Sequence, residues 1–320
     1  MFRQALLALF LVLPAAFGQS FTPAGAAEGP SAADGEAARE QVLAALRSGG
    51  QAERNAAFRE LLRMGRRAGP LLAEALSIEN DAVRTVAAQL AGELGAREAV
   101  PGLVQLLGSR SANAQHAAVD ALGKLKDPRA LSPLLELLGR VRQAPSKCAV
   151  LNALGSLGDR ESQPYVESLL SAADPSVRCC AAGALGLLGD GKGLGVALEQ
   201  SRSEDPRVQR AALEALGQIR DEKALEALEA VLAQPKSRNR AAARIAKGKI
   251  ELKGRSRKER LRLLSQELGD EDELVQDWAA RELANLGDPD AVSALKAHLR
   301  APDGRARRPI LVQLYRLGVN

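Results

Sequence analysis

The stretch DPSVRCCAAGALGLLGD (174–190) decides the fold. It opens on Asp174-Pro175, an N-cap residue followed by a proline suited to the first helical position. Apolar residues then recur at three- and four-residue spacing, at Val177, Ala181, Leu185 and Leu188, which is the period of one helix face. Gly189 stands where a left-handed residue closes a helix. Asp190 follows it, in place to cap a second helix.

The phrase recurs along the chain. NDAVRTVAAQLAGELGA (80–96), SANAQHAAVDALGKLKD (111–127), APSKCAVLNALGSLGD (144–159), DPRVQRAALEALGQIRD (205–221) and DELVQDWAARELANLGD (272–288) share its grammar, and GRARRPILVQLYRLG (304–318) is a last copy. Aligned on Gly189, the closing positions are Gly65, Gly95, Lys126, Gly158, Gly189, Arg220, Gly287 and Gly318. The steps between them are 30, 31, 32, 31, 31, 67 and 31 residues. A fixed period near 31 means a stacked array, because one helix pair cannot bury its own apolar face. The 67-residue step holds one normal unit and one longer one. Gly92, Gly123, Gly155, Gly186 and Gly217 share one position inside the first helix. Glycine there weakens a helix, so a neighbouring backbone is expected to come close. The expected fold is all-α, an α-solenoid of about nine stacked antiparallel helix pairs.

The D-P-x-V-R-x-x-A-A-x-A-L-G-x-L-G-D pattern, fullest at 174–190, resembles the HEAT repeats of the phycobilisome-lyase type over about residues 51–320. EAAREQVLAALR (36–47) reads as a preceding half unit. The resemblance implies the solenoid. For function it implies only a range: chromophore lyases, an iron-dependent hydroxylase, a DNA glycosylase and many binding scaffolds. The hydroxylase type uses His-Glu motifs, and this chain, with His116 and His298 alone, has no His-Glu dipeptide.

Composition fits helices and an exported chain. Ala and Leu dominate and aromatics make up 2%. MFRQALLALFLVLPAAFG (1–18) has the layout of a secretory signal peptide: Arg3, an apolar run from Ala5 to Leu13, then small residues to Gly18. Residues 19–35 read as a flexible Ala/Gly/Pro-rich leader, and 36–320 as the repeat array, with an enlarged basic repeat at 235–271. Export places the mature chain in the periplasm or outside the cell, with no later stretch apolar enough to span a membrane.

The cysteines could mark chemistry or masonry. Cys148 and Cys179 share one repeat position, also held by Thr85, His116, Arg210 and Asp277, which reads as mainly solvent-facing. Cys180 takes the next position, held elsewhere by Val86, Ala117, Ala211 and Trp278, which reads as core. A vicinal bridge would break the helix. The bridge to consider is Cys148–Cys179 on neighbouring helices, and a third thiol is left over. No zinc-ligand spacing, nucleophile triad, phosphate loop or EF-hand is present, so no catalytic residue, metal or cofactor is assigned. GDGKGLG (189–195) lies at an inter-helix turn, Asp159, Asp190, Asp221 and Asp288 read as helix caps, and Trp278 as a packed residue.

The irregular unit is the informative place. Residues 236–262 carry Lys236, Arg238, Arg240, Arg244, Lys247, Lys249, Lys253, Arg255, Arg257, Lys258, Arg260 and Arg262 against two glutamates, a charge of +10 in a chain of net +5. Two readings stay open: a solubilising face, or a partner-binding patch for acidic proteins or an anionic surface. Nucleic acid is disfavoured, since no aromatics interleave the basic residues. The expected function is a non-catalytic, exported scaffold or adaptor offering a curved surface to a protein partner in the bacterial envelope. The alternatives are a polyanion or membrane-surface binder acting through 236–262, and an enzyme subunit related to chromophore lyases.

Overall fold

The computed structural model describes residues 32–234 and 237–299, together with 310, 311, 313, 314 and 317. The signal-peptide expectation for 1–18, most of the leader, Lys236 and most of the last repeat copy at 304–318 lie outside the described residues. Helix α1 (Ala32–Ser48) begins inside the stretch read as leader.

Eight helix pairs follow among the described residues. They are α2 (Gln51–Met64) with α3 (Gly69–Ala75), α4 (Asp81–Leu94) with α5 (Val100–Leu106), α6 (Ala112–Leu125) with α7 (Leu131–Arg140), and α8 (Ala144–Leu157) with α9 (Gln163–Ser168). Then come α10 (Pro175–Leu187) with α11 (Leu194–Gln200), α12 (Pro206–Ile219) with α13 (Leu225–Leu232), α14 (Arg240–Glu251) with α15 (Arg257–Glu267), and α16 (Glu273–Leu286) with α17 (Pro289–Leu299). No strand occurs among the described residues, and none of their helices is long and apolar enough to cross a membrane.

The repeat grammar sets each boundary. First helices are capped by Asn80, Asp174, Asp205 and Asp272, whose side chains accept backbone N–H bonds one turn in. The closing position is left-handed at Gly95, Gly158, Gly189 and Gly287, and also at Lys126 (φ 52°) and Arg220 (φ 56°). Asp159, Asp190, Asp221 and Asp288 accept backbone N–H bonds at 3.0, 2.9, 2.9 and 2.7 Å and so turn the chain into the second helix. A long polar side chain early in the first helix reaches back to the end of the preceding pair. Gln115 Nε2 donates to the Leu107 carbonyl, Arg178 to Ala172, Gln209 Nε2 to Ser201, Arg240 to Leu232 and Gln276 Nε2 to Asp270. These bonds satisfy carbonyls that a helix end leaves open.

The described residues divide into two compact units at Ala118/Val119. In the first, α1 packs on α2 and α3, and α3 on α4. In the second, α8, α10, α12, α14 and α16 stack in succession, while α11 touches both α10 and α12. Leu213, Leu216, Leu228, Val231 and Ala246 form one core there, and Leu264, Trp278, Leu283 and Leu295 another. The shared glycine position explains the close stacking. A Cβ on Gly123 would lie 2.9 Å from Ala153 Cα, on Gly155 2.9 Å from Ala184 Cα, on Gly186 2.7 Å from Ile219 Cα, and on Gly217 2.8 Å from Ala246 Cα. Real Cβ contacts are not that short, so only glycine permits this approach.

The long step is now resolved. Gly248 lies 31 residues after Gly217 and holds the same place, facing the next first helix. Its counterpart Ala284 comes 36 residues later, so the extra residues fall after α14. They form the turn Lys253–Ser256, with Gly254 at φ 73°, and the start of α15. Ser256 and Glu259 cap α15 reciprocally, a capping box no sequence expectation named.

The disulfide expectation needs correction. Cys148 on α8 is bridged to Cys180 on α10, with Cα atoms 5.2 Å apart, and Cys179 is the free cysteine. Equivalent repeat positions do not meet where the helices cross. At this end α8 faces α10 with an offset of 32 residues, whereas further on Gly155 meets Ala184 at an offset of 29. The burial expectation also reverses: Cys179 is fully buried and Cys180 only partly. Burial pushes the Cys179 thiol up to about 11. It therefore stays protonated beside a disulfide that only a thiolate could attack.

Candidate functional site

The eleven described members of the basic set turn to different partners. Lys236 lies outside the described residues. Arg240 donates to the Leu232 carbonyl, and Arg244 holds Glu267 of α15 through two guanidinium nitrogens at 3.0 and 2.9 Å. Lys247 Nζ reaches Glu229 on α13 at 2.8 Å. Lys253 Nζ donates to the Arg220 carbonyl at 3.0 Å, at the negative end of α12. Arg255 donates to the Glu251 carbonyl at 3.2 Å. Arg257 joins Asp288 at 2.5 Å and the Leu286 carbonyl at 2.8 Å, tying α15 to the end of α16. Arg240, Arg244, Lys247, Lys253 and Arg257 thus join neighbouring helices. Lys258 and Arg262 point to solvent from α15, and Arg238 from the turn before α14, while Arg260 is partly buried with its Nε unbonded.

One member of the set has a different setting. Lys249 sits in a groove of about 420 Å³ that runs along α14 between α12 and α16. Its floor is one face of α14, Ala241, Ala242, Ile245, Ala246 and Lys249, at spacings of one and three or four residues. One wall is Arg210, Glu214, Gly217 and Gln218 of α12. The other is Leu274, Asp277, Trp278, Arg281, Glu282 and Asn285 of α16. The floor is recessed because α14 carries alanines where its neighbours carry long side chains. Arg238 stands at the α14 N-terminal end of the groove.

The polar groups of the walls are partly paired. Arg210 binds Glu214 at 2.8 Å, and Arg281 binds Asp277. Lys249 lies over Gly217, its Cδ 3.4 Å from where a Cβ would be, and makes no hydrogen bond or ion pair with the described residues. Burial holds its amine below the ordinary lysine value, with Glu282 the leading charge in the opposite sense. Trp278 is 8% exposed, and the far edge of its ring rests on Gly248, 2.5 Å from a Cβ that glycine lacks. Its indole Nε1 is buried without an acceptor. The sequence reading of Trp278 as packed is right, and it missed this unbonded donor. It also missed the groove, since Lys249 read as one of twelve like charges. Counting 31 residues on from Gly217 would have placed Gly248, and with it Lys249 beside Gln218 on the groove face. Among the described residues no group of three or more His, Cys, Asp and Glu could hold a metal.

Helix pairs that recur at a near-constant period and pack through small residues define an all-α helical-repeat protein. The chain belongs to the HEAT repeat family, whose model matches residues 68–145, 192–247 and 250–316. It is similar to the complex of CpcE and CpcF of phycocyanin lyase from Nostoc sp. PCC7120, at 25% identity and a TM-score of 0.51, over 82% of this chain and 99% of that one. Human deoxyhypusine hydroxylase, crystallised with glycerol, aligns at 19% identity and a TM-score of 0.33 over 88% and 96% of the two chains. No curated protein matches the chain by sequence.

Proposed function

We propose that the chain is a non-catalytic binding scaffold, exported from a bacterial cell, that holds a protein partner in the envelope. The observation that carries this reading is the groove over α14. Lys249 and Glu282 line it without a hydrogen bond or ion pair to the described residues. The repeat array supplies a rigid frame beneath it. The similarity to a two-component lyase complex supports a protein partner. The Cys148–Cys180 bridge supports export, because such bonds persist in oxidising compartments.

The polyanion reading of 236–262 is weaker. Arg244, Lys247, Lys253 and Arg257 already hold acceptors within the chain. The enzyme-subunit reading rests on the lyase similarity, and fold alone does not carry function. Crosslinking in intact envelopes, then purification through the chain, tests the proposal. A stoichiometric protein partner that survives high salt is expected. Recovery of lipid or glycan in its place overturns it.

A further inference from the structure

We propose that Cys148, Cys179 and Cys180 form a self-correcting set, in which a wrongly bridged chain converts to the Cys148–Cys180 disulfide by exchange within the chain, and burial of Cys179 then ends the exchange. The step uses the bridge and the free thiol alone, so it stands whether or not the chain is a scaffold.

The unfolded chain has little reason to choose the native partner. Cys148 lies 31 residues from Cys179 and 32 from Cys180, and closing the two loops differs by about 5% in probability. A third pairing joins the neighbours Cys179 and Cys180. The folded frame tells the three apart. Successive residues on α10 point about 100° apart. Cys180 is partly exposed and faces α8, its Cα 5.2 Å from that of Cys148, within the range a disulfide spans. Cys148 is partly exposed as well, whereas Cys179 is fully buried. Of the three pairings, only the native one leaves its third thiol buried. The others leave Cys180 or Cys148, which a bridge can reach.

Exchange therefore runs one way. With Cys148 bridged to Cys179, the Cys180 thiol loses its proton to solvent and the thiolate attacks Cys148 Sγ. The Cys148–Cys180 bond forms, the Cys148–Cys179 bond breaks, and Cys179 leaves as a thiolate that takes a proton back from solvent. With Cys179 bridged to Cys180, the Cys148 thiolate attacks Cys180 Sγ and Cys179 leaves in the same way. One disulfide and one thiol stand on each side, so no oxidant or reductant is consumed. The return step needs a Cys179 thiolate. Burial pushes that thiol up to about 11, which makes its thiolate about a hundredfold scarcer than that of an ordinary cysteine. It also needs the first turns of α10 to unwind, where Asp174 caps the helix by accepting from the Ser176 and Val177 N–H groups.

The test oxidises the full-length reduced chain in concentrated urea, removes the oxidant and maps the disulfides by peptide mass at acid pH. Cys148–Cys179 and Cys148–Cys180 are expected in similar amounts. The sample is then diluted into thiol-free, urea-free buffer at mildly alkaline pH, one half having first been capped with N-ethylmaleimide. The uncapped half is expected to converge on Cys148–Cys180, in at least about tenfold excess, at a rate independent of protein concentration. The capped half keeps its mixture. In the folded protein the free thiol is expected to react with N-ethylmaleimide at least about a hundredfold more slowly than in urea. A single bridge already formed in urea, a mixture that persists uncapped, a rate proportional to protein concentration, or a folded-state thiol that reacts as fast as in urea overturns the proposal.

Discussion

Removing the Cys148–Cys180 bridge is the most informative perturbation of the frame. The bond closes a loop with a sequence separation of 32 residues. In the chain-entropy description, a loop of that length costs the unfolded state about 12 cal/mol/K, or about 3.7 kcal/mol at room temperature. The Cys148→Ala/Cys180→Ala variant keeps small apolar side chains at both sites, and alanine already occupies the Cys180 position at Ala117 and Ala211. Hydrogen exchange read by peptide is the assay, since a repeat array opens locally rather than all at once. Exchange in α8, α9 and α10 is expected to speed up by as much as roughly 500-fold, the factor that corresponds to 3.7 kcal/mol. Peptides of α14 to α17 are expected to change little. Peptide mapping of the unreduced wild type should alkylate Cys179 alone once the chain is denatured. A bridge mapped to Cys179, or less than about threefold faster exchange in α8 and α10, would refute the reasoning.

Two further substitutions probe the repeat grammar and the groove. Arg220 closes α12 in the left-handed region, where a side chain costs about 1 kcal/mol or more. Arg220→Gly is expected to raise stability by about 1 kcal/mol, read as a higher urea midpoint. Lys249 is held below its ordinary value by burial, so in the window between its folded and unfolded values the unfolded chain binds more protons. Stability therefore rises with pH across that window, and the penalty is fully present at lower pH. Lys249→Met should stabilise the protein at neutral pH and flatten the alkaline rise in the urea midpoint. An unchanged slope would show that Lys249 is not desolvated in the folded chain.

Much of the frame was legible because it is written locally. Caps, closing residues and apolar spacing lie within one phrase, and the 31-residue period aligned Lys126 and Arg220 with glycines although neither is glycine. Both adopt the left-handed conformation that the alignment required. What was not legible depends on how helices cross. The sequence places Cys148 and Cys179 in equivalent positions, but the contact between α8 and α10 falls one residue on, at Cys180. The basic run looked like a patch because sequence proximity hides direction. Arg244, Lys247 and Arg257 turn to different neighbours, and Lys249 lies over Gly217 in the groove. The groove is invisible in α14 alone. Its alanines are ordinary for a first helix, and the recess exists only because α12 and α16 carry longer side chains beside them.

The central claim is that each helix pair is held by its neighbours through the glycine contacts rather than by one shared core. Gly217→Ala tests it most directly, because the new Cβ would meet the Ala246 backbone at 2.8 Å, while Gly195→Ala in α11 meets nothing within 4 Å. Peptide-level hydrogen exchange on the two variants is the measurement. The expected result is a loss of protection confined to α12, α14 and the helices next to them, by about 1–3 kcal/mol, with no loss in the Gly195→Ala chain. A loss spread evenly from α8 to α17, or none at all, would contradict it.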